Sequence, residues 1–292
     1  MIKKLAIGVL VVLTLKSQAQ NPDSMKTLPS GIKYRLIHDA HNPKAQIGNI
    51  ITFNFAYSND KDSVVLSSYG GEVPQPQVEI APPQFNGDVM EAFMLVGKDD
   101  SVYLLIPADS MFRQGFIPPF FSAHGMVHMR IKVIDVTTKE AFEKKQQDAM
   151  MHQNHIDDSI IAVYLKQNNL KAVKAESGFY YVVRKAGAGA KPGPGMTATV
   201  NYTGKLLSGK VFDSNTDSAF GHVQPLAFHV GKAEVIKGWD EGVALMPIGS
   251  QYTFILPSSM GYGPHGSGPD IGPNAILIFD IELLDAKVAT GN

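Results

Sequence analysis

The sequence predicts an α+β chain: two domains, each a bent antiparallel sheet wrapped on a short helix, joined by a helical connector. Three observations lead to this class. Apolar–polar alternation rich in β-branched and aromatic residues fills 24–137 and again 174–288. The two stretches share matching residues at near-constant offsets of 147 and 150. Between them, 138–173 changes to good helix formers. A chain of 292 residues suits two domains at about 150 residues each, and 44% hydrophobic content is ample for two cores.

In chain order, Met1-Ile2-Lys3-Lys4 and the apolar run Leu5–Leu15 have the make-up of a secretory signal, and Ser17-Gln18-Ala19 fits its cleavage site. The expectation is a signal peptide over 1–19, a mature chain from Gln20, and export, most simply to a periplasm. Eleven apolar residues are too few to cross a bilayer of about 30 Å. The chain has no cysteine, so there is no lipid-attachment site and no disulfide framework. Loss of Lys3, Lys4 and Lys16 takes the basic residues from 26 to 23 against 27 acidic ones, a net charge of −4. That balance gives no support for a nucleic-acid or anionic-membrane partner.

Residues 24–137 read as a divergent copy of the last third. Gly31–Leu36 parallels Gly178–Val183, and Asn54-Phe55 parallels Asn201-Tyr202, both at 147. Tyr103–Pro107 parallels Thr253–Pro257, and Met126–Asp135 parallels Ile276–Asp285, both at 150. On this register Phe55 replaces Tyr202, a residue near Leu66 replaces Asp213, and Phe112 replaces Tyr262. Nothing stands for Trp239, whose nearest counterpart is about Gly87.

In 138–173, Ile156, Ile160 and Tyr164 form an i, i+4, i+8 stripe joined by Val163, and Asn168-Asn169 suits a helix end. One long helix or two shorter ones fit equally. Such a segment holds domains apart or pairs with a second copy, giving a homodimer. His152, His155, Asp157 and Asp158 lack a fixed third ligand and read as a solvated face rather than a metal site.

In 174–288, Thr197–Thr203, Val211–Ser214, Pro225–Val230, Gln251–Leu256 and Ala275–Leu284 read as strands separated by Gly- and Pro-rich turns. Gly238 precedes Trp239, the only tryptophan, where a sharp turn is expected. Asp240 and Glu241 follow, in the first turn of a short helix. Gly261-x-Gly263-x-x-Gly266 satisfies a dinucleotide fingerprint but is followed by Ser-Gly-Pro-Asp instead of a helix, so it is set aside. No cofactor and no covalent nucleophile are expected.

Tyr202-Thr-Gly204, Gly209–Ser214, Val235–Gly242, Gly261-Tyr-Gly263 and Phe279–Leu284 occur together, in the order seen in FKBP-type peptidyl-prolyl cis-trans isomerases. Residues 176–287 resemble that family, and the chain is read as two FKBP-like domains, the first lacking the site. The resemblance implies isomerisation of X-Pro bonds in exported proteins. It implies a pocket of Tyr202, Phe212, Asp213, Trp239, Tyr262 and Phe279, with Phe228, Val235, Ile236, Ile271 and Leu226 in contact with substrate. Unfolded or proline-containing polypeptides would be the partners, and macrolide inhibitors the ligands. Leu226 stands where the family commonly has an aromatic residue and Asp270 where an apolar one is usual, and the loop Ser214–Gln224 is about four residues longer than in the minimal domain. The reading from another class is a chaperone-like protein that binds unfolded chains without turnover. An apolar mechanism predicts little change in kcat/KM between about pH 6 and 8. A fragment of residues 174–292 is expected to keep most activity on a short peptide.

Overall fold

The computed structural model describes residues 25–71, 73–112, 116–122 and 124–288. The expected signal segment lies outside them. The chain forms two compact units, Met1–Lys144 and Lys145–Asn292, and the whole is α+β with antiparallel sheets and few helices.

The first unit holds β1 (Lys26–Thr27), β2 (Lys33–His38), β3 (Asn49–Ser58), β4 (Val64–Ser67), β5 (Gln77–Glu79), β6 (Ser101–Pro107) and β7 (Met126–Thr138). Its short helices are α1 (Met90–Phe93) and α2 (Ala108–Met111). The sheet order is β1-β2-β6-β7-β3-β4, with β5 also on β3. The helix α3 (Lys139–Gln167) follows. The second unit holds β8 (Val173–Lys174), β9 (Tyr180–Lys185), β10 (Met196–Leu206), β11 (Val211–Ser214), β12 (Leu226–His229), α4 (Lys237–Val243), β13 (Gln251–Leu256) and β14 (Leu277–Val288). Its sheet order is β11-β10-β14-β13-β9-β8, with β12 also on β10. The two connectivities are the same when β1–β7 are laid on β8–β14.

Registers agree residue by residue. Phe55 pairs with Ile131 and Tyr202 with Ile281, and Tyr34 pairs with Leu104 and Tyr181 with Phe254. The register shifts correspond too, at Thr52/Phe53 and Thr199/Val200, and at Tyr57/Ser58 and Gly204/Lys205. Val96 N donates to Phe93 O, and Met246 N to Val243 O. That offset of 150 through the helices sets Val89, not Gly87, in the place of Trp239.

α3 is one helix of 29 residues. Its buried side chains are Asp157 and Ile161, whereas Ile156 and Ile160 of the expected stripe are exposed, so the helix packs through the neighbouring face. Ile161 joins Ile255, Ile276 and Ile278 in a small apolar cluster on one side of β13 and β14. The Asp157 carboxylate accepts from Ser258 N (2.7 Å), Ser258 Oγ (2.6 Å) and Gln153 Nε2 (2.8 Å). Asn154 bonds Ser259 Oγ at 2.6 Å. From Gln153 onward α3 is therefore a packed part of the second unit.

On the other side of β13, α4 lies close to the strand. Gly238 is the second residue of α4, inside the helix rather than in a turn before it. A Cβ on Gly238 would stand 2.6 Å from Leu256 side-chain carbons, and one on Gly242 2.5 Å from the Phe254 ring. β13 is thus covered on both faces, and Tyr252 to Leu256 are all buried.

Asp157→Ala should lower the stability of the second unit by about 2–3 kcal/mol, because a charge-assisted network is lost and buried donors are left unpaired. Denaturant unfolding followed by the fluorescence of Trp239 reports this unit alone, since the chain has one tryptophan. For the same reason residues 174–292 should unfold at lower denaturant than 145–292. Equal midpoints would show that α3 adds nothing to the unit.

Candidate active site

The site is built from the inner face of β10 outward. Along β10, Ala198, Val200 and Tyr202 are buried, following the strand period. Gly204, next on that face, makes room for rings. A Cβ there would lie 2.7 Å from both Phe212 and Phe279. β11 pairs Ser214 with Thr203 and Asp213 with Gly204, then Val211 with Lys205, so Phe212 is an extra residue in a bulge. A bulge breaks the alternation of side chains. The adjacent residues Phe212 and Asp213 accordingly both line one pocket.

Trp239 floors that pocket, 4% exposed, in the first turn of α4. Asp240 positions the helix start by accepting from Gly231 N and Ala233 N, both at 2.8 Å. Tyr202 and Phe279 meet the indole nearly at right angles, with centroids 4.9 and 5.2 Å away. The indole N–H has no hydrogen-bond partner among the described residues. The cavity holds about 420 Å³ and is lined by Tyr202, Phe212, Asp213, Leu226, Glu234, Val235, Ile236, Trp239, Tyr262 and Phe279.

Nine of the eleven residues expected from the sequence line this space. Phe228 and Ile271 do not. Phe228 is buried behind the indole at 6.1 Å between centroids, and Ile271 is packed into the core and bridged to Ser267. Glu234, which the sequence reading missed, stands on the rim and accepts from His229 N at 2.9 Å, with His229 Nδ1 also at 2.9 Å. Asp270 pairs with Lys210 at 2.6 Å at the surface, which accounts for a charge in that loop.

The polar part of the site centres on Asp213, whose side chain is 39% exposed. The Tyr202 hydroxyl donates to its Oδ2 at 2.6 Å. His222 Nε2 lies 3.0 Å from its Oδ1 and 3.4 Å from the Tyr202 oxygen. The long loop after β11 is shaped by Asn215, which accepts from Tyr202 N (2.7 Å) and donates to Val200 O and Gln224 O (3.1 Å each). Asp217 then accepts from Ala219 N at 2.9 Å to start a 3-10 turn, and Gly221 at φ 77° leads into His222. His222 is the second residue missed. Its only signal was the length of that loop, which says nothing of where the ring goes.

Tyr262 follows the 3-10 turn Ser258–Met260 that Asp157 holds. Burial pushes the Tyr262 phenol above its ordinary value, and the nearby Asp213 charge adds to this. Burial raises the Tyr202 phenol too, reinforced by its bond to Asp213. Both hydroxyls therefore remain neutral O–H groups throughout the physiological range. An apolar floor, two carboxylates and two phenols suit the holding of a planar amide flanked by apolar groups. They do not supply a nucleophile.

The family described as FKBP-type peptidyl-prolyl cis-trans isomerase matches residues 189–284. The chain is 43% identical over 141 residues to an FKBP-type peptidyl-prolyl cis-trans isomerase FkpA of Aeromonas hydrophila, covering 48% of this chain and 49% of that one. It is 43% identical over 128 residues to an outer membrane protein MIP of Legionella longbeachae, covering 43% and 52%. Among solved structures, FkpA from Escherichia coli is similar at 33% identity over 51% of this chain and 70% of that one, with a TM-score of 0.40. The chain spans about half the length of those two curated relatives. Its second unit, over residues 189–284, belongs to the FKBP-type peptidyl-prolyl cis-trans isomerase family.

Proposed function

We propose that the second unit isomerises X-Pro peptide bonds of polypeptides. The observation that carries this reading is the apolar cavity floored by Trp239 with Asp213 and Tyr262 on its rim. The barrier to rotation, about 18–20 kcal/mol, comes from C–N double-bond character. At the twisted transition state that resonance is lost and the amide is less dipolar than in either planar form. Transfer into a water-poor pocket therefore costs the twisted form less than the planar forms, which is differential binding of the transition state. The prolyl ring lies on Trp239 between Phe212 and Phe279. Tyr262 donates to a substrate carbonyl, the Ile236 amide to another, and Asp213 faces the reacting carbonyl. Macrolide ligands would occupy the same cavity.

The first unit we read as an FKBP-like copy without the site. It carries Phe55, Leu66, Val89 and Phe112 where the second carries Tyr202, Asp213, Trp239 and Tyr262. The face of α3 left exposed carries Ile156, Ile160 and Val163, at 40%, 42% and 55%. Their i, i+4, i+7 spacing suits pairing with the same face of a second copy. Export fits both the leader-like start of the sequence and the likeness to an outer membrane protein MIP. The clients would then be exported chains. The competing reading, a holding protein without turnover, needs the cavity but has no use for Asp213 and Tyr262 beside it.

A protease-coupled assay on a short Ala-Pro peptide separates the two readings, turnover supporting the isomerase and its absence the holding protein. Asp213→Leu and Tyr262→Phe should each reduce kcat/KM about tenfold, the ~1.4 kcal/mol of one hydrogen bond, with Trp239 fluorescence unchanged. Sedimentation should find a dimer that Ile160→Asp converts to monomer, and a wild-type monomer would remove the pairing role of α3. Mass spectrometry of protein from its native host should find Gln20 at or near the mature terminus, and a soluble product retaining Met1 would exclude processing.

A further inference from the structure

Tyr262 enters the cavity from a loop, and its hydroxyl has no hydrogen bond among the described residues, so the backbone that carries it sets its direction. That backbone leaves the 3-10 turn Ser258–Met260 two residues earlier. The turn cannot cap itself. Its N-cap is Pro257, which has no side-chain acceptor for the orphan N–H of Ser258. The missing acceptor comes from α3. Asp157 Oδ2 accepts from Ser258 N at 2.7 Å and from Ser258 Oγ at 2.6 Å, while its Oδ1 accepts from Gln153 Nε2 at 2.8 Å. Beside it, Asn154 Oδ1 accepts from Ser259 Oγ at 2.6 Å. Asp157 and Ser258 are 0% and 1% exposed. Beyond the turn, Gly261 N donates to Ser258 O at 3.0 Å, and a Cβ on Gly261 would stand 2.9 Å from Leu277. The chain between the held turn and Tyr262 is therefore short and closely packed.

The counterpart in the first unit is built differently. There Pro107 again stands at the N-cap, and Ala108 N donates to the Gly125 carbonyl at 2.9 Å, a backbone partner. Ala108 has no hydroxyl to match that of Ser258, and Phe112 stands where Tyr262 does. The unit with the phenol on its rim takes the same donor to a side chain of α3 instead.

We infer that Asp157, with Asn154 beside it, is a positioning residue for Tyr262, so that α3 belongs to the working site as well as to the fold of the second unit. The inference rests on the isomerase reading for its kinetic consequence and on geometry alone for the hold. Asp157 lies outside the cavity, so what it contributes to turnover passes through the Tyr262 hydroxyl. Its removal then lowers turnover by no more than removal of that hydroxyl, and by nothing once the hydroxyl is gone. A merely structural Asp157 has neither property, because its effect on turnover would be independent of the hydroxyl and would add to the loss from Tyr262→Phe.

The full chain and its variants are assayed on an Ala-Pro peptide by a protease-free method, at a temperature where Trp239 fluorescence shows each variant folded. Asp157→Ala should lower kcat/KM about fourfold, short of the roughly tenfold of Tyr262→Phe. In the Tyr262→Phe background the same substitution should leave kcat/KM unchanged, while it lowers the denaturation midpoint as much as in the wild type. Asp157→Asn, which keeps a carbonyl acceptor for Ser258, should recover most of the activity. Ser258→Ala, which removes one of the two bonds and keeps the N–H, should lower kcat/KM about twofold, and it stands in where Asp157→Ala does not fold. Ring-carbon spectra of labelled tyrosine need no turnover, and Tyr262→Phe assigns the Tyr262 signal by its absence. That signal should be displaced in Asp157→Ala and the Tyr202 signal should stay in place. Equal losses from Asp157→Ala with and without the Tyr262 hydroxyl, unchanged kcat/KM in both Asp157→Ala and Ser258→Ala, or an unmoved Tyr262 signal overturns the inference. A displaced signal in a chain without turnover overturns the isomerase reading alone and leaves Asp157 setting Tyr262 in a binding pocket.

Discussion

The contact between α4 and β13 sets the position of everything in the second unit. The helix lies flat on the strand because Gly238 and Gly242 present no side chain where Leu256 and Phe254 stand. One methyl at either place would push the helix from the strand or the ring from the core. Trp239 lies between those glycines, so its height under the sheet is fixed by them. Tyr202, Phe228 and Phe279 come from three strands and reach one indole only at that height. The pocket is the space the rings leave on the side where β11 bulges.

The same frame exists in the first unit, with different side chains on it. Both edge strands carry the bulge that puts an extra residue beside the long central strand, Val65 in β4 and Phe212 in β11. The loop after it is tied back by Ser68 Oγ on Phe55 N in one unit and by Asn215 on Tyr202 N in the other. At the helix, Phe93 of the first unit is fully buried and packs on Phe53 at 4.9 Å. A ring from the helix fills the core in each unit, but in the second it enters from position 239 and leaves a cavity. Frame and chemistry are therefore separable: the fold supplies the bulge and the covered helix, and a few side chains decide whether a site exists.

Strands were legible in the sequence because a sheet buried on one face imposes a period of two, and the repeat was legible because paired strands tolerate only small changes in length. The pocket floor was legible because five short motifs with fixed spacing surround Trp239. What the sequence left unread follows from contacts between distant residues. α3 offers two plausible faces, and the one chosen contains Asp157, an unpromising residue for burial. It is buried because Ser258, 101 residues away, offers two donors to it. Gly238 was misassigned to a turn because a close helix–strand approach and a tight turn leave the same residue in the sequence. Phe228 and Ile271 have the composition of pocket walls but are buried in the core without lining the cavity. His222 and Glu234 sit in loops, where no period constrains direction.

The site divides into an apolar part and a polar part. The floor is apolar, and burial keeps the phenols of Tyr202 and Tyr262 neutral in the physiological range. The rim is different. Its two carboxylates, Asp213 and Glu234, each face an imidazole, His222 and His229. Both pairs are partly exposed, so each is screened and modest in energy. The loop that carries His222 therefore adds a polar edge to an apolar pocket.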